Sequence, residues 1–324
     1  MPEWNELKFV WVGWPSAEHL WGEDFELARE EIRRLTLALA KNVEVRLIAE
    51  DAAEAETIKS TLNRNINIFI LPSGDIWLRD TGPLYVEHSG TLAGLRFRFN
   101  GWGGKYNLPG DQETAAAMLA VDGLDAICSD ITLEGGAIEH NGAGTLLTTR
   151  QCLLNPNRNP GWTEAIAEEA LRKALNVSEF IWLDDGLVGD HTDGHVDNLA
   201  RFVSETTVVC EQASGPDDPN TEIYAAVEAT LRASGLEVIT LASPGRVTDR
   251  DGTIMPASHL NFVFANGALI MPTFEDHFAP QALQVLKSAL PDYDIIGLPA
   301  RHILSGGGAF HCITQHVPLL GKGR

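Results

Sequence analysis

The chain is short of positive charge: its 324 residues hold 24 lysines and arginines against 45 acidic residues, a formal net charge of −21. A surface of that sign repels phosphate, which excludes nucleic acid and anionic membrane as partners. No apolar run is long enough to span a bilayer. The opening residues, Met1-Pro2-Glu3-Trp4-Asn5-Glu6, lack the basic and apolar regions of a signal peptide, so a cytoplasmic protein is expected. The only cysteines are Cys128, Cys152, Cys210 and Cys312, with no CxxC spacing. They encode neither a disulfide framework nor a zinc ribbon, and in a reducing compartment they stay thiols. HExxH and His-x-His are missing as well, so no metal is expected. What is present is a 44% hydrophobic share, ordinary for a chain that buries a sizeable core.

Glycine is concentrated near the end, in Ser305-Gly306-Gly307-Gly308-Ala309-Phe310-His311-Cys312-Ile313-Thr314-Gln315. Three glycines in a row permit positive φ or close approach to another group. Phe310 to Thr314 then reads as a strand. A lone cysteine is commonly a packed structural thiol. Here its surroundings favour a nucleophile.

Those surroundings recur through the chain. Asp80-Thr81-Gly82-Pro83 leads into a strand, a Ser89-Gly90 turn and the strand 92–99. Glu134-Gly135-Gly136 leads into a hairpin turning at Asn141-Gly142. His195-Val196-Asp197-Asn198 leads into strands 199–203 and 206–210. His259-Leu260-Asn261 leads into a hairpin turning at Asn266-Gly267, and Cys312 leads a fifth run cut short by the chain end. The leading residues Asp80, Glu134, His195, His259 and Cys312 are 54, 61, 64 and 53 apart. Helical patterns with a strand after each lie between them, at 112–119, 163–175, 222–234 and 276–290. Before the first unit stand a strand at 9–12, helices at 24–41 and 51–62, and strands at 43–48 and 66–71. Five equivalent units close on an axis, as in propellers, and each leading residue then points to one central place.

That place would gather a thiol, an imidazole and carboxylates. Only a thiolate attacks, and His195 can pair with it and later act as general acid. Asp197, two residues on, shares a face with His195 if the segment is a strand. Asp80 and Asp197 together suit a planar cation with forked donors, a guanidinium. Trp77 and Trp102 flank Asp80 as candidate aromatic walls. His140, His191, His302, His311 and His316 read as packing or supporting residues, and His259 as either packing or site. Cys128, Cys152 and Cys210 read as inert packing. The far end of the substrate is open: a carboxylate there needs an Arg or Lys, with Arg79, Arg150, Arg158 and Arg201 as candidates, whereas an amine needs an acid.

Five ordered stretches, Trp77 to Pro83, Glu134-Gly135-Gly136, Leu154 to Pro160, Asp193 to Asn198 and Gly306 to Gln315, resemble agmatine deiminases. These group with the bacterial peptidylarginine deiminases in the guanidine-modifying superfamily. The resemblance implies an α/β fold, the five-bladed α/β propeller of the penteins, as a single catalytic domain over 1–324. It implies hydrolysis of agmatine to N-carbamoylputrescine and ammonia, on the way to putrescine, with no cofactor or metal. Cys312 would attack, His195 would move protons, Asp80 and Asp197 would hold the guanidinium, Glu134 would support the site, and Trp77, Trp102 and Gly308 would line it. Relatives suggest a homodimer. Ala309, Phe310 and Lys105-Tyr106-Asn107 depart from the usual family pattern and leave the substrate open. Arginine, peptidyl-arginine or another guanidino compound, an amidinotransferase, and a non-catalytic binder are the alternatives.

Overall fold

A computed structural model of the chain describes residues 1–62 and 66–320. Its strands form five separate sheets. The second sheet shows the common plan. β4 (Leu84–His88) and β5 (Thr91–Arg98) form an antiparallel hairpin, the helix Asp111–Asp122 crosses over, and β6 (Ala126–Thr132) returns parallel to β5. The same hairpin, helix and parallel strand recur three times. They are β7 (Ile138–His140), β8 (Thr145–Thr149) and β9 (Glu179–Leu183); β10 (Ala200–Phe202), β11 (Thr207–Gln212) and β12 (Glu237–Ala242); and β13 (Val263–Ala265), β14 (Ala268–Thr273) and β15 (Asp294–Pro299).

The remaining sheet joins the two ends of the chain. β16 (Thr314–Pro318) runs antiparallel to β1 (Leu7–Gly13), which pairs parallel with β2 (Glu44–Ala49), itself parallel to β3 (Ile66–Ile70). The fifth unit is therefore not truncated: the N-terminal strand and the helix Phe25–Leu39 complete it. This closes the five-bladed α/β propeller. Asn266, in the β13–β14 turn, adds a clamp between blades: its side chain accepts from the Leu7 amide at 2.8 Å and donates to the Leu7 carbonyl at 3.0 Å.

Periodicity explains the blades. Along Phe25–Leu39, Ala28, Ile32, Leu35 and Leu39 are fully buried at helical spacing, while Leu27 falls off the stripe and is exposed. The crossover helices are buried between adjacent sheets: Tyr224, Val227 and Leu231 of the helix Thr221–Ala233 share one cluster with Leu147 and Leu183 of β8 and β9 and with Phe202, Val208 and Cys210 of β10 and β11. The Ser89-Gly90 turn has positive φ at both residues, the geometry that matches strand twist in a two-residue hairpin. Among the described residues no helix is long and apolar enough to cross a membrane.

Candidate active site

Four of the leading residues, Asp80, Glu134, His195 and Cys312, do come together, from turns and loops rather than strands, and His259 does not join them. Asp80 lies in the short helix Leu78–Thr81, Val196–Asn198 is a 3₁₀ turn, and Cys312 sits in a turn just before β16. The expectation that Phe310 to Thr314 is a strand therefore fails except at Thr314, and His195 and Asp197 do not share a strand face. The reason is local. The Asn261 side-chain carbonyl accepts from the His311 and Cys312 amides at 2.9 and 3.3 Å, and the Cys312 carbonyl accepts from the Arg79 amide at 3.1 Å. Those bonds use backbone groups that a sheet would need, and they fasten the thiol beside the Asp80 helix.

Asp80 is buried and held at both oxygens, by the Trp102 indole N–H at 2.8 Å and the Gly136 amide at 2.9 Å. Trp102 adopts φ 52°, ψ 51°, between Gly101 and Gly103, also at positive φ. A left-handed tryptophan is strained, and the strain turns its indole onto Asp80. Gly136 must lack a side chain, because a Cβ there would lie 2.5 Å from His195 Nδ1, 3.1 Å from Asp197 and 3.2 Å from Asp80. The imidazole and both acids thus meet around one glycine. His195 Nδ1 lies 3.8 Å from Asp80, both its ring nitrogens are buried without a hydrogen-bond partner, and Asp197 Oδ1 is likewise free. Unpaired buried polar atoms are costly; His195 and Asp197 lie beside Asp80 and Cys312 but do not themselves line the cavity that opens onto those two.

Cys312 Sγ lies 3.6 Å from Asp197 Oδ2 and accepts from the Asn261 amide at 3.1 Å. Asn261 also donates to Asn198 at 2.9 Å. Burial pushes the Cys312 thiol well above the usual range, and Asp197 and Asp80 push it further. For His195 burial acts against the charged form, but Asp80, the Cys152 thiol and Asp197 prevail and hold it well above the ordinary imidazole value. Burial would also raise Asp197, but the bond from His311, with the charges of His195 and Arg201, keeps it low. These shifts favour a thiol on Cys312, an imidazolium on His195 and a carboxylate on Asp197.

A cavity of 140 Å³ opens onto Asp80 and Cys312. Trp77 and Trp102 line it, as expected. So do Gly306 to Gly308, each for its own reason. Gly307 has φ 107°, a Cβ on Gly306 would lie 2.6 Å from Trp77, and a Cβ on Gly308 would lie 2.8 Å from Trp77 and 2.9 Å from Cys312 Sγ. Asp75 lines the same cavity and accepts from the indoles of Trp21 at 3.1 Å and Trp77 at 3.0 Å; burial pushes its carboxyl up to about 6. No Arg or Lys lines this cavity among the described residues. Arg79 turns to Glu3 and His316, Arg150 to Glu164 and Asp184, Arg158 to Glu134, and Arg201 to Glu139 and Glu3. A larger cavity of 550 Å³, beside Glu3 and Glu139, contains none of Asp80, His195, Asp197 or Cys312.

Glu134 does not line the cavity. It is buried against Arg158, whose Nε donates to its two oxygens at 3.0 and 3.3 Å, while Arg158 also reaches the Thr192 carbonyl at 2.7 Å and Asp193. His259 is a packing residue, with its ring nitrogens on the Ala242 carbonyl and Asp276 at 2.9 and 3.2 Å. In the repeat alignment Asn261 matches Asp197, and that match is the signal by which it could have been found. Cys152 is not inert packing: its thiol lies beside His195, and it, His195 and Glu134 place ligand atoms within 4.8 Å of one another. Nothing in its sequence surroundings pointed to that. Cys128 is exposed and Cys210 buried.

Comparison with known proteins gives a consistent result. The model of the Porphyromonas-type peptidyl-arginine deiminase family matches residues 1–318. The agmatine deiminase of Stutzerimonas stutzeri is 33% identical, over 98% of this chain and 94% of its own. A substrate-bound agmatine deiminase of C. jejuni superposes with a TM-score of 0.92 at 29% identity, covering 98% of this chain and 95% of its own. That of Enterococcus faecalis gives 0.91 at 28%, covering 98% and 94%.

Proposed function

We propose that this chain, which belongs to the Porphyromonas-type peptidyl-arginine deiminase family, hydrolyses agmatine to N-carbamoylputrescine and ammonia through a covalent intermediate on Cys312. The observation that carries the reading is the cavity: a thiol and Asp80 at its floor, a second carboxylate, Asp75, in its wall, and no lining Arg or Lys among the described residues. A dication with a guanidinium at one end and an amine at the other matches that pattern. Free arginine would bring a carboxylate with nothing to pair it, and burial beside Asp75 would be repulsive.

The residues then have these roles. Asp80 and Asp197 hold the guanidinium nitrogens. The cation's charge offsets the two carboxylates that keep the thiol protonated, so binding releases the proton from Cys312. The thiolate attacks the guanidinium carbon. His195, held as imidazolium, gives its proton to the departing nitrogen, and ammonia leaves a thiouronium on sulfur. The neutral imidazole then takes a proton from water as the water attacks that carbon; the C–S bond breaks with its electron pair returning to sulfur, and the proton of the new hydroxyl passes to the thiolate, which frees the ureido product and restores thiol and imidazolium. Asn261, donating to Sγ, stabilises the thiolate as it forms and as it departs. Glu134 and Cys152 act behind His195 and do not touch substrate. Asp75 receives the amine, and Trp77 and Trp102 cover the methylene chain.

Ammonia release from a panel of guanidino compounds, with Cys312→Ala beside the wild type, tests this. Release from agmatine and a loss of several orders of magnitude in the variant are expected. Release from arginine alone would move the substrate assignment, and equal release from both proteins would exclude the thiol. A chelator is expected to change nothing.

A further inference from the structure

We propose that Glu3 is a positioning residue for Asp197, acting through His311 across the joined ends of the chain. Asp197 Oδ2 accepts from His311 Nδ1 at 2.7 Å, and the other ring nitrogen, Nε2, lies 2.9 Å from Glu3 Oε1, 308 residues away in sequence. A ring between two carboxylates makes both bonds only when both its nitrogens carry protons. Glu3 therefore fixes the ring as a donor on each side. Without that anchor, a neutral His311 could satisfy one carboxylate and not the other, and Asp197 would be free to rotate about its own side chain.

The anchor is itself rigidly held. Glu3 pairs with Arg79 Nη1 at 2.7 Å and Arg201 Nη2 at 2.5 Å. Arg201 is fully buried, fixed by the Leu260 and Phe262 carbonyls at 3.0 Å each and by Glu139 at 3.2 Å. At the far end of the chain of bonds, Asp197 Oδ2, the oxygen that His311 holds, lies 3.6 Å from Cys312 Sγ, and Oδ1 is buried without a partner. One oxygen is pinned by the relay and the other is left for a ligand. A charge-assisted pair of this kind sets orientation, and a displacement of about 1 Å at the reacting centre costs on the order of a hundredfold in rate.

The inference rests on the deiminase reading, and its test separates the two. Ammonia release from agmatine is measured against pH for the wild type, E3Q and E3D. The groups facing Glu3 are Arg79, Arg201, His311, His316, His140 and the Met1 amino group, with Glu139 beside them; those facing Asp197 are His311, His195, Arg201, Asp80 and Cys312. A loosened His311 bond weakens what holds Asp197 low against burial, so its carboxyl rises and the acid limb of kcat/KM moves to higher pH. E3Q is expected to lose roughly ten- to hundredfold in kcat/KM at neutral pH with that limb shifted up, and E3D, which keeps the charge, to recover a large part of both. If E3Q does not fold, E3D alone is expected to show the upward shift in smaller measure. A rate loss with the acid limb unmoved in whichever variants fold overturns the inference and leaves a structural role only. A wild type that releases no ammonia from agmatine overturns the deiminase reading instead.

Discussion

Replacing Asp75 with Asn tests how the far end of the substrate is read. The carboxylate accepts from two indoles, Trp21 and Trp77, and shares the cavity with Asp80 and Cys312. Two unit charges about 4 Å apart interact by about 4 kcal/mol at an effective dielectric near 20. Asp75 is half-buried, so solvent at the mouth reduces that to about 1.5–3 kcal/mol, the range for a hydrogen bond to a charged group. D75N should therefore raise KM for agmatine roughly ten- to hundredfold, at about 1.4 kcal/mol per factor of ten. The amide also sets an N–H against one of the two indole donors, which disturbs the tryptophan wall for any substrate. The control is an alkylguanidine of equal length without the amine: it should share only that smaller disturbance. The pH dependence has a definite sign. The free carboxyl titrates at about 6 through burial, so it is ionised above that value and protonated below. KM for agmatine should climb as pH falls through 6, while KM for the alkylguanidine should not follow it there. Equal losses on both substrates in D75N would refute the assignment of the amine to Asp75.

Other perturbations probe the floor of the site. G308A places a methyl 2.8 Å from Trp77 and 2.9 Å from Cys312 Sγ, and should cut kcat at least tenfold while circular dichroism stays native. N261D keeps the shape but removes the N–H donated to Sγ and sets a charge beside the thiol; a fall in kcat of roughly a hundredfold, the usual loss for one such donor, is expected in steady-state assays. In the free enzyme, alkylation of Cys312 by iodoacetamide, measured as the difference from C312A because Cys128 is exposed, should accelerate only above the ordinary thiol range; a midpoint near neutrality would count against a thiol held protonated by burial and two acids. C152A removes a neighbour that favours the His195 imidazolium, so the basic limb of kcat should move to lower pH, with C152S closer to wild type.

The five-fold plan was legible because four units repeat a signal of local chemistry, a polar turn, a hairpin, a helix and a following strand, with a glycine turn in three of the hairpins. Asp80, His195 and Cys312 could be picked out because they lead those repeats, and Asp197 because it stands two residues after His195. Closure was not legible. The pairing of β1 with β16 joins residues about three hundred apart, and no local pattern encodes it; the fifth unit therefore read as truncated. The same closure brings Glu3 under His311, so a residue that read as part of an unremarkable N-terminus becomes part of the site's support. His259 drew notice because histidine is a reactive type, yet Asn261, at the equivalent of Asp197, is what reaches the sulfur. Cys152 was set aside as a strand-end residue, but its relevant neighbours are distant in the chain: Glu134 at the head of its own repeat and His195 at the head of the next. Phe310 to Ile313 has strand composition and is a turn, since Asn261 and Arg79 take up its backbone groups.

The central claim is a covalent bond between Cys312 and the guanidine carbon. Acid-quenched turnover with agmatine, followed by peptide mass spectrometry, measures it directly. The account predicts a peptide carrying Cys312 that is heavier by agmatine less ammonia, present during turnover and gone when substrate is exhausted. Undiminished turnover in C312A, or the same added mass on a different residue, would contradict it.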